Sequence, residues 1–309
     1  LGEFAKAEPF LRRTIELNPK HGLAHSHLGF ILNRRGKPKE AMGYLQAAAA
    51  LLPKDSGAQF NLGLALEADG QNDLAGAAYQ RVIELNAQHA DAHRNLGQLH
   101  MTAGRFKEAL PLLKRGHALG KQRPNWPDPA GKEVSACERL LRADEKLPAI
   151  LRGELKSTDA GELLALGDLC RVYKKQYVAA LGFYEDAFTM DRRILDKPAS
   201  ARCCAAYAAV LAAAGQGKDA QSLDDNRRTL LRQRALDWLQ GELAAYRLIL
   251  AKSPAAEREQ ARMRVQDLFD APELASVREP ADLARLPVAQ ADAWRKFWAE
   301  ADKLRKNHE

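Results

Sequence analysis

Histidine and cysteine, the usual ligands of zinc, are the first residues of this sequence to consider for metal binding. His89 and His93 stand four residues apart, a spacing that places both side chains on one face of a helix. Zinc usually needs a third protein ligand and supporting hydrogen bonds, so we predict packing or surface roles, with a metal site as the less favoured alternative. Cys203 and Cys204 lie in an alanine-rich stretch without C-x-x-C spacing, which favours core packing over thiol chemistry. No metal or cofactor is predicted.

The motifs of phosphate-transferring enzymes are missing from the sequence. Residues 215–218 (GQGK) lack the spacing of a nucleotide-binding loop and the hydroxyl residue that would hold magnesium, so we predict a turn between helices there. The chain also lacks a kinase glycine loop, a catalytic-loop aspartate in its motif and an Asp-Phe-Gly sequence. The chain is therefore predicted to be non-catalytic.

Charge and hydropathy exclude two classes of partner. The net charge of +7 is spread evenly: residues 1–120 carry 15 basic and 11 acidic residues, and residues 121–309 carry 32 and 29. Nucleic-acid-binding proteins usually concentrate positive charge on one face beside aromatic residues, so no nucleic acid is predicted. The longest apolar run, residues 47–52, is far shorter than the roughly 20 residues that span a bilayer, so no membrane is predicted. Four cysteines without a disulfide pattern favour a reducing, cytoplasmic location.

The densest basic cluster consists of Arg227, Arg228, Arg232 and Arg234. A charge run of this kind is most often a solvated helix face. Contact with an acidic partner is the alternative.

A period of 34 residues runs through the first part of the chain. Three sets of positions follow it: glycines at 2, 36, 70 and 104, alanines at 7, 41, 75 and 109, and Leu-Gly pairs that begin at 28, 62 and 96. Each period is predicted to form two helices joined by a turn. We call the first helix of a repeat its A helix and the second its B helix. The turn glycines are expected at positive φ. The glycine of each Leu-Gly pair is expected to let a neighbouring backbone approach closely.

These positions resemble the tetratricopeptide repeat (TPR), whose pattern runs from a large residue through Leu-Gly to Ala, a second large residue and Pro. Pro19 and Pro53 match the closing proline, whereas Ala87 and Lys121 depart from it. The resemblance covers residues 1–120 as three complete repeats preceded by a lone B helix, and we expect the chain to be a piece of a longer array. It implies an all-α fold: a TPR-type α-α solenoid followed by a C-terminal helical region.

A proline-containing linker, residues 121–157, is predicted to follow the array. Pro124, Pro127 and Pro129 lie too close together for a regular helix, and Pro148 is expected to break the helix that comes after them. The linker therefore contains one predicted helix, at about residues 132–146.

Two helical regions are predicted after the linker. Residues 158–222 carry degenerate repeat positions, because Leu166 and Gly167 match a Leu-Gly pair with one residue inserted before the next alanine. Residues 223–309 are predicted to form long helices. There Trp294, Phe297 and Trp298 form an apolar stripe, expected in the core against the helix of Trp238, with an interface as the alternative. No strand is predicted, and helices are expected at residues 199–214, 224–252, 255–269 and 288–306.

This tail has a resemblance of its own, to the region that follows the repeats in many planctomycete TPR proteins. A number of those proteins begin with a serine/threonine kinase domain. The segments that carry the resemblance are residues 215–220, 223–225, 234–239 and 277–280. It implies a lineage and a context but no reactive site.

The TPR resemblance implies a non-catalytic protein–protein interaction scaffold, whose concave face is lined by A helices and holds a peptide or partner helix. The alternative is the C-terminal regulatory or substrate-docking region of a serine/threonine kinase whose catalytic domain lies upstream. The predicted partner-binding residues are Phe30, Asn33, Arg34, Phe60, Asn61, Leu64, Arg94, Asn95 and Gln98. The same columns include Ser26, Glu67, Asp91 and Met101.

Three details refine this prediction. The asparagines could hydrogen-bond a ligand backbone or bridge neighbouring repeats. Ser26 and Phe30 stand where a carboxylate clamp would need lysine and asparagine, and Phe30, Phe60 and Leu64 favour a partly apolar ligand. Alanine substitutions at Phe60, Leu64 or Arg94 are expected to weaken binding and to leave melting nearly unchanged, because groove side chains are not core.

Overall fold

The chain, in a computed structural model that describes residues 2–123, 126, 129–196 and 201–306, forms two compact units, residues 1–141 and 142–309. The helices of the first unit are α1 (Gly2–Leu17), α2 (Gly22–Arg34), α3 (Pro38–Leu51), α4 (Ser56–Ala68), α5 (Asn72–Leu85), α6 (Ala90–Thr102), α7 (Phe106–Gly120) and the first part of α8 (Pro129–Leu151). In the described ranges all regular structure is helical, which confirms the predicted all-α fold. Helix α1 is the lone B helix, and α2–α7 form three A–B pairs.

The A helices begin at capping side chains that recur with the repeat. His21 and His89 accept hydrogen bonds at Nδ1 from the backbone N–H three residues on, at 3.1 and 3.2 Å, and Asp55 accepts one at 2.6 Å. Such a bond satisfies one of the backbone donors that a helix start leaves free. His25 and His93 instead share hydrogen bonds through Nε2 with the loop carbonyls before them, at 2.9 and 3.1 Å. The histidines of the first and third repeats therefore hold the starts of α2 and α6.

The turns between A and B helices have the predicted conformation. Gly36, Gly70 and Gly104 have φ values of 74°, 77° and 74°, where a side chain would be strained. In each turn the residue after the glycine donates its N–H to a carbonyl five positions back, at 2.8 to 3.0 Å. This hydrogen bond closes the A helix and directs the chain into the B helix.

The glycine of each Leu-Gly pair lies against a large side chain. A Cβ on Gly29 would lie 2.5 Å from Leu45, and one on Gly63 would lie 2.6 Å from the ring of Tyr79. Backbone atoms are also close, as expected: a Cβ on Gly29 would lie 3.3 Å from Ala41 O, and one on Gly97 would lie 3.1 Å from Leu113 N, but the nearest atoms belong to the large side chains. The missing side chain makes room for a knob from the B helix, and Leu45 and Tyr79 are fully buried there.

Helix α8 contradicts one local prediction. It continues through Pro148, where the sequence predicts a break, and ends at Leu151. A proline removes one helical hydrogen bond and crowds the carbonyl four residues earlier, yet α8 accommodates Pro148, as α1 and α7 accommodate Pro9 and Pro111. Gly153, at φ 75°, then ends the turn. Pro124 and Pro127 lie outside the described residues.

The second unit continues from α8 with further helices. They are α9 (Ala160–Asp168), a π-helical turn (Leu169–Lys174), α10 (Tyr177–Met190), a 3-10 turn (Arg192–Asp196), α11 (Ala201–Ala213), α12 (Asp225–Lys252), α13 (Ala255–Asp270), a 3-10 turn (Pro272–Val277), α14 (Pro280–Leu283) and α15 (Val288–Lys306). Asp224 caps α12 by accepting from Arg227 N at 2.7 Å. The long helices predicted after residue 223 are therefore present in this unit.

The one-residue insertion predicted after Gly167 forms the π-helical turn. Gly29 precedes Ala41 by 12 residues, whereas Gly167 precedes Ala180 by 13. The bond that closes this turn, from Gln176 N to Cys170 O at 2.9 Å, accordingly spans six residues instead of five. Lys175, at φ 55°, takes the place of the turn glycine. The pair α9–α10 thereby keeps the packing of the first-unit repeats, since a Cβ on Gly167 would lie 2.6 Å from the ring of Tyr184.

The C-terminal aromatic stripe is part of the core of the second unit. Trp294 and Phe297 are each 1% exposed. The Trp298 Nε1–H donates to Val277 O at 2.8 Å, and its ring lies 5.1 Å from that of Phe269 on α13. Trp238 packs edge-on against Phe188 of α10. The stripe is therefore in the core, as predicted. Its helix, α15, contacts both α12, the helix of Trp238, and α13, which supplies the ring of Phe269.

Candidate functional site

The predicted partner-binding residues lie on α2, α4 and α6, the three A helices of the first unit. Equivalent positions recur every 34 residues, so Phe30 and Leu64 correspond to Gln98, and Phe60 corresponds to Arg94. Arg34 is exposed, and the other eight side chains are half-buried. We call the surface formed by these nine residues the A-helix face.

The two asparagines of this face make hydrogen bonds within the chain. Asn61 Nδ2 donates to Ser26 Oγ at 3.3 Å, which joins α4 to α2. Asn95 Nδ2 donates to the hydroxyl of Tyr79 at 3.3 Å, which joins α6 to α5. Of the two roles that the sequence leaves open, bridging between repeats is therefore the one with contacts in the structure.

Arg94 and Gln98 are held by a residue of α8. The guanidinium of Arg94 makes two hydrogen bonds to the Glu133 carboxylate, one of them 2.9 Å long, and Gln98 Nε2 donates to the same carboxylate at 2.8 Å. The hydrogen bonds from Glu133 raise the pKa of Arg94. Its charge is thus balanced inside the first unit. Repeat spacing does not indicate this partner, because Glu133 lies beyond the proline-rich segment.

Phe60 is partly a core residue, contrary to the expectation for groove side chains. Its ring centroid lies 5.7 Å from that of Tyr79 and 4.6 Å from that of His89. With Leu64 it packs against the buried cluster of Leu66, Ala75 and Tyr79. Burial lowers the pKa of His89. Phe60 and Leu64 therefore have one side on the core and another toward solvent.

A carboxylate on the A-helix face is held by a buried tyrosine. The Tyr79 hydroxyl donates to Glu67 Oε2 at 2.6 Å and accepts from Asn95 Nδ2. The Tyr79 side chain is fully buried, and burial raises the pKa of its hydroxyl. Glu67 thus has a fixed orientation at the end of α4.

The tail arginines are mostly bound within the second unit, so the predicted solvated face is wrong for three of them. Arg228 donates to the carbonyls of Leu223 and Ala213 at 2.9 and 3.1 Å. Arg232 donates to Gln290 Oε1 at 2.9 Å, and Arg234 pairs with Glu185. Arg227 is exposed. Sequence spacing does not reveal Gln290 and Glu185, because these partners lie on other helices.

The surroundings of His89, Cys203 and Cys204 disfavour metal binding and thiol chemistry. His89 Nδ1 accepts the hydrogen bond from Ala92 N, so in the neutral ring the proton is on Nε2 and neither nitrogen has a lone pair free for a metal. Burial raises the pKa of both Cys203 and Cys204, so the reactive thiolate is disfavoured. Arg171 Nη2 lies 3.6 Å from Cys204 Sγ.

None of the helices in the described residues is long and apolar enough to cross a bilayer.

A cleft that the sequence does not indicate lies in the second unit and has a volume of about 650 Å³. Leu163 and Phe183 lie at its buried side. Leu151, Leu155 and Met190 are 41% to 49% exposed at its rim. We call it the second-unit cleft.

Two known proteins are similar in sequence to part of the chain. Protein O-mannosyl-transferase TMTC3 of Homo sapiens is 31% identical over 105 residues, which are 33% of this chain and 12% of that protein. Tetratricopeptide repeat-containing protein trd-1 of Caenorhabditis elegans is 26% identical over 126 residues, 40% of this chain and 16% of that protein. The chain thus spans less than a fifth of either relative. The crystal structure of MamA is 17% identical, with a TM-score of 0.38 over 63% of this chain and 93% of that chain.

A family model described as tetratricopeptide repeat matches residues 1–56 and 60–124. These are the residues with the 34-residue period, the glycine turns and the alternating A and B helices. Residues 1–124 of this chain therefore contain tetratricopeptide repeats, as the sequence predicts.

Proposed function

We propose that the chain is a non-catalytic interaction scaffold whose A-helix face binds a peptide or a helix of a partner protein. The observation that carries the proposal is the set of half-buried apolar side chains on α2 and α4, Phe30, Phe60 and Leu64, within an array of tetratricopeptide repeats. Stacked helical repeats commonly present such a face to an extended ligand.

The packing of these side chains suits them to binding. Phe60 and Leu64 rest on a buried cluster, so their positions are set before a ligand arrives and little side-chain entropy is lost on binding. Covering their solvent side with an apolar ligand side chain removes further apolar surface from water, worth about 25 cal/mol per Å². Glu133 fixes the orientation of Arg94 and Gln98, so these two side chains give the face a defined shape.

Three further predictions concern the protein and the organism to which the chain belongs. Attachment to an upstream serine/threonine kinase, a planctomycete origin and a cytoplasmic location follow from the sequence resemblances and the cysteine content alone. Determining the reading frame upstream of Leu1 tests the kinase prediction directly. A purified chain that phosphorylates a protein substrate would contradict the non-catalytic assignment.

A selection followed by titration tests the proposed site. A phage-displayed library of random peptides is selected on the purified chain, and the recovered peptides are titrated by fluorescence anisotropy. Leu64→Asp is expected to weaken binding by roughly thirtyfold, about 2 kcal/mol, as for a central apolar anchor. The matched control, Met190→Asp in the second-unit cleft, is expected to leave binding unchanged.

The experiment includes a check that each variant folds, and one outcome would contradict the proposal. Helicity and thermal melting of each variant are recorded by circular dichroism, and Phe30→Ala replaces Leu64→Asp if the latter fails to fold. Peptides that lose affinity with Met190→Asp and keep it with the α2 and α4 variants would move the binding site to the second unit and overturn the proposal.

A further inference from the structure

The net charge is divided evenly between residues 1–120 and 121–309, but the three complete repeats differ sharply from one another in charge. Residues 21–54 carry five basic residues and one acidic residue, and residues 89–122 carry six basic and two acidic residues, so each has a net charge of +4. Residues 55–88 carry five acidic residues and one basic residue, a net charge of −4. A chain with a net charge of +7 therefore has an acidic middle repeat between two basic ones.

Within the middle repeat, Glu67 is the acidic residue among the A-helix columns. It is half-buried in the last turn of α4, in the same repeat as Phe60 and Leu64. Among the described residues no lysine or arginine forms an ion pair with it, and the arginine of the neighbouring A helix, Arg94, is already paired with Glu133. Arg94 interacts electrostatically with Glu67 but forms no ion pair with it, so the Glu67 carboxylate can still accept a hydrogen bond from a cation outside the chain.

The Glu67 carboxylate is also pre-oriented. The Tyr79 hydroxyl donates to one of its oxygens at 2.6 Å, and the Tyr79 ring is fixed against Gly63. Asn95 donates to the same hydroxyl at 3.3 Å, so all three side chains form one chain of hydrogen bonds. A carboxylate held in this way loses little freedom when a cation binds to its remaining lone pairs.

We propose that Glu67 recognises a cationic side chain, lysine or arginine, of the segment bound on the A-helix face. The ligand is a peptide in which this basic residue stands next to an apolar one that packs on Phe60 and Leu64. Tyr79 is a positioning residue that acts through Glu67. This inference rests on the proposed function and adds the chemistry of the partner.

The second unit contains the same arrangement with its cation built in. The Tyr184 hydroxyl donates to Asp168 Oδ1 at 2.6 Å, and Arg171 Nε donates to Tyr184 at 3.3 Å. Arg171 Nη2 lies 3.8 Å from the same Asp168 oxygen. Because Asp168 already has its counter-charge, Asp168→Asn is a matched control for Glu67→Gln.

The test uses the complete chain and the random-peptide library described above. Peptides whose binding depends on Leu64 are expected to be rich in lysine or arginine beside an apolar residue. Glu67→Gln is expected to lower their affinity about tenfold, the loss typical of a half-buried charged hydrogen bond. Versions of the same peptides with methionine in place of the basic residue are expected to bind both proteins equally, and Asp168→Asn is expected to change nothing.

Tyr79→Phe tests the positioning role. It keeps the ring against Gly63 and removes the hydroxyl, so we expect the affinity ratio between basic and methionine peptides to fall toward that of Glu67→Gln. A purely structural role of Tyr79 would change both affinities together.

The failure of this inference is distinct from that of the proposed function. Peptides that depend on Leu64 but bind wild-type and Glu67→Gln proteins alike, or that are rich in acidic residues, overturn the role of Glu67 and leave the A-helix face as the site. A library that yields no Leu64-dependent peptide overturns both.

Discussion

The contact between Arg94 and Glu133 is predicted to stabilise the end of the repeat array. Glu133→Ala removes the carboxylate that receives two hydrogen bonds from Arg94 and one from Gln98. The side chains of Arg94 and Glu133 are only 24% and 20% exposed. The variant therefore leaves a guanidinium partly out of water and without its partner.

The exposure of the pair sets the expected magnitude. Exposed ion pairs contribute about 0 to 1 kcal/mol, whereas removing one member of a fully buried pair costs about 3 to 5 kcal/mol. Arg94 and Glu133 lie between these limits and have bidentate geometry. We expect a coupling free energy of about 1.5 kcal/mol between them, roughly a tenfold change in the unfolding equilibrium.

A double-mutant cycle measures this coupling. Arg94→Ala, Glu133→Ala and the double variant are unfolded in urea, and the free energies of unfolding are compared with that of the wild type. The pair Arg13 and Glu16, whose side chains are 67% and 63% exposed, serves as the control cycle, with an expected coupling near zero. A coupling below about 0.5 kcal/mol for Arg94 and Glu133 would show that α8 does not hold Arg94 in solution.

Three further predictions concern the first unit. Gly63→Ala is expected to lower the free energy of unfolding by about 1 to 2 kcal/mol, because its Cβ would lie 2.6 Å from the Tyr79 ring and overpacking exceeds the gain in helix propensity. Phe60→Ala is expected to cost about 2 kcal/mol, since the ring is half-buried on the core. Stability is expected to fall as the pH drops below 6.5, because burial lowers the folded-state pKa of His89 below that value and the unfolded chain takes up its proton first.

Each of these predictions has its own check. Gly43→Ala, at a site where a Cβ meets nothing within 4 Å, is expected to raise the melting temperature, and a fall equal to that of Gly63→Ala would refute the packing explanation. Unchanged melting in Phe60→Ala would return Phe60 to a pure groove role. In urea titrations over a pH series, His89→Asp is expected to reduce the pH dependence, because aspartate caps α4 in the middle repeat without a titrating ring. Part of the dependence is expected to remain, because burial also lowers the pKa of His93 and of His100. An unaltered slope would exclude His89 as its source.

The sequence was sufficient for features that depend on local spacing. The 34-residue period predicts the A and B helices and the turn glycines, since both follow from the few residues around each position. The contacts of Arg94 and Arg232 could not be predicted, because their partners lie on other helices and depend on packing. Pro148 shows a third limit, because a helix can continue through a proline, as α1 and α7 also do at Pro9 and Pro111.

The partner-binding residues show the same division. Their positions on the A helices follow from the period, and the half-buried state of eight of the nine agrees with a surface face. The hydrogen bonds of these residues do not follow from the period. The pattern gives the column in which Glu67 stands but not the hydroxyl of Tyr79 that orients it, which requires the three-dimensional contact of α4 with α5.

The π-helical turn at Leu169–Lys174 has a consequence for how such arrays change length over evolution. An added residue would normally rotate every later side chain of the helix by about 100° and expose its buried stripe. Here the extra residue is confined to one wide turn, and Tyr184 still meets Gly167. A single-residue insertion at the end of an A helix therefore need not change how the A and B helices pack. A helix pair with such an insertion keeps the repeat architecture, although a sequence search for a strictly constant period would miss it.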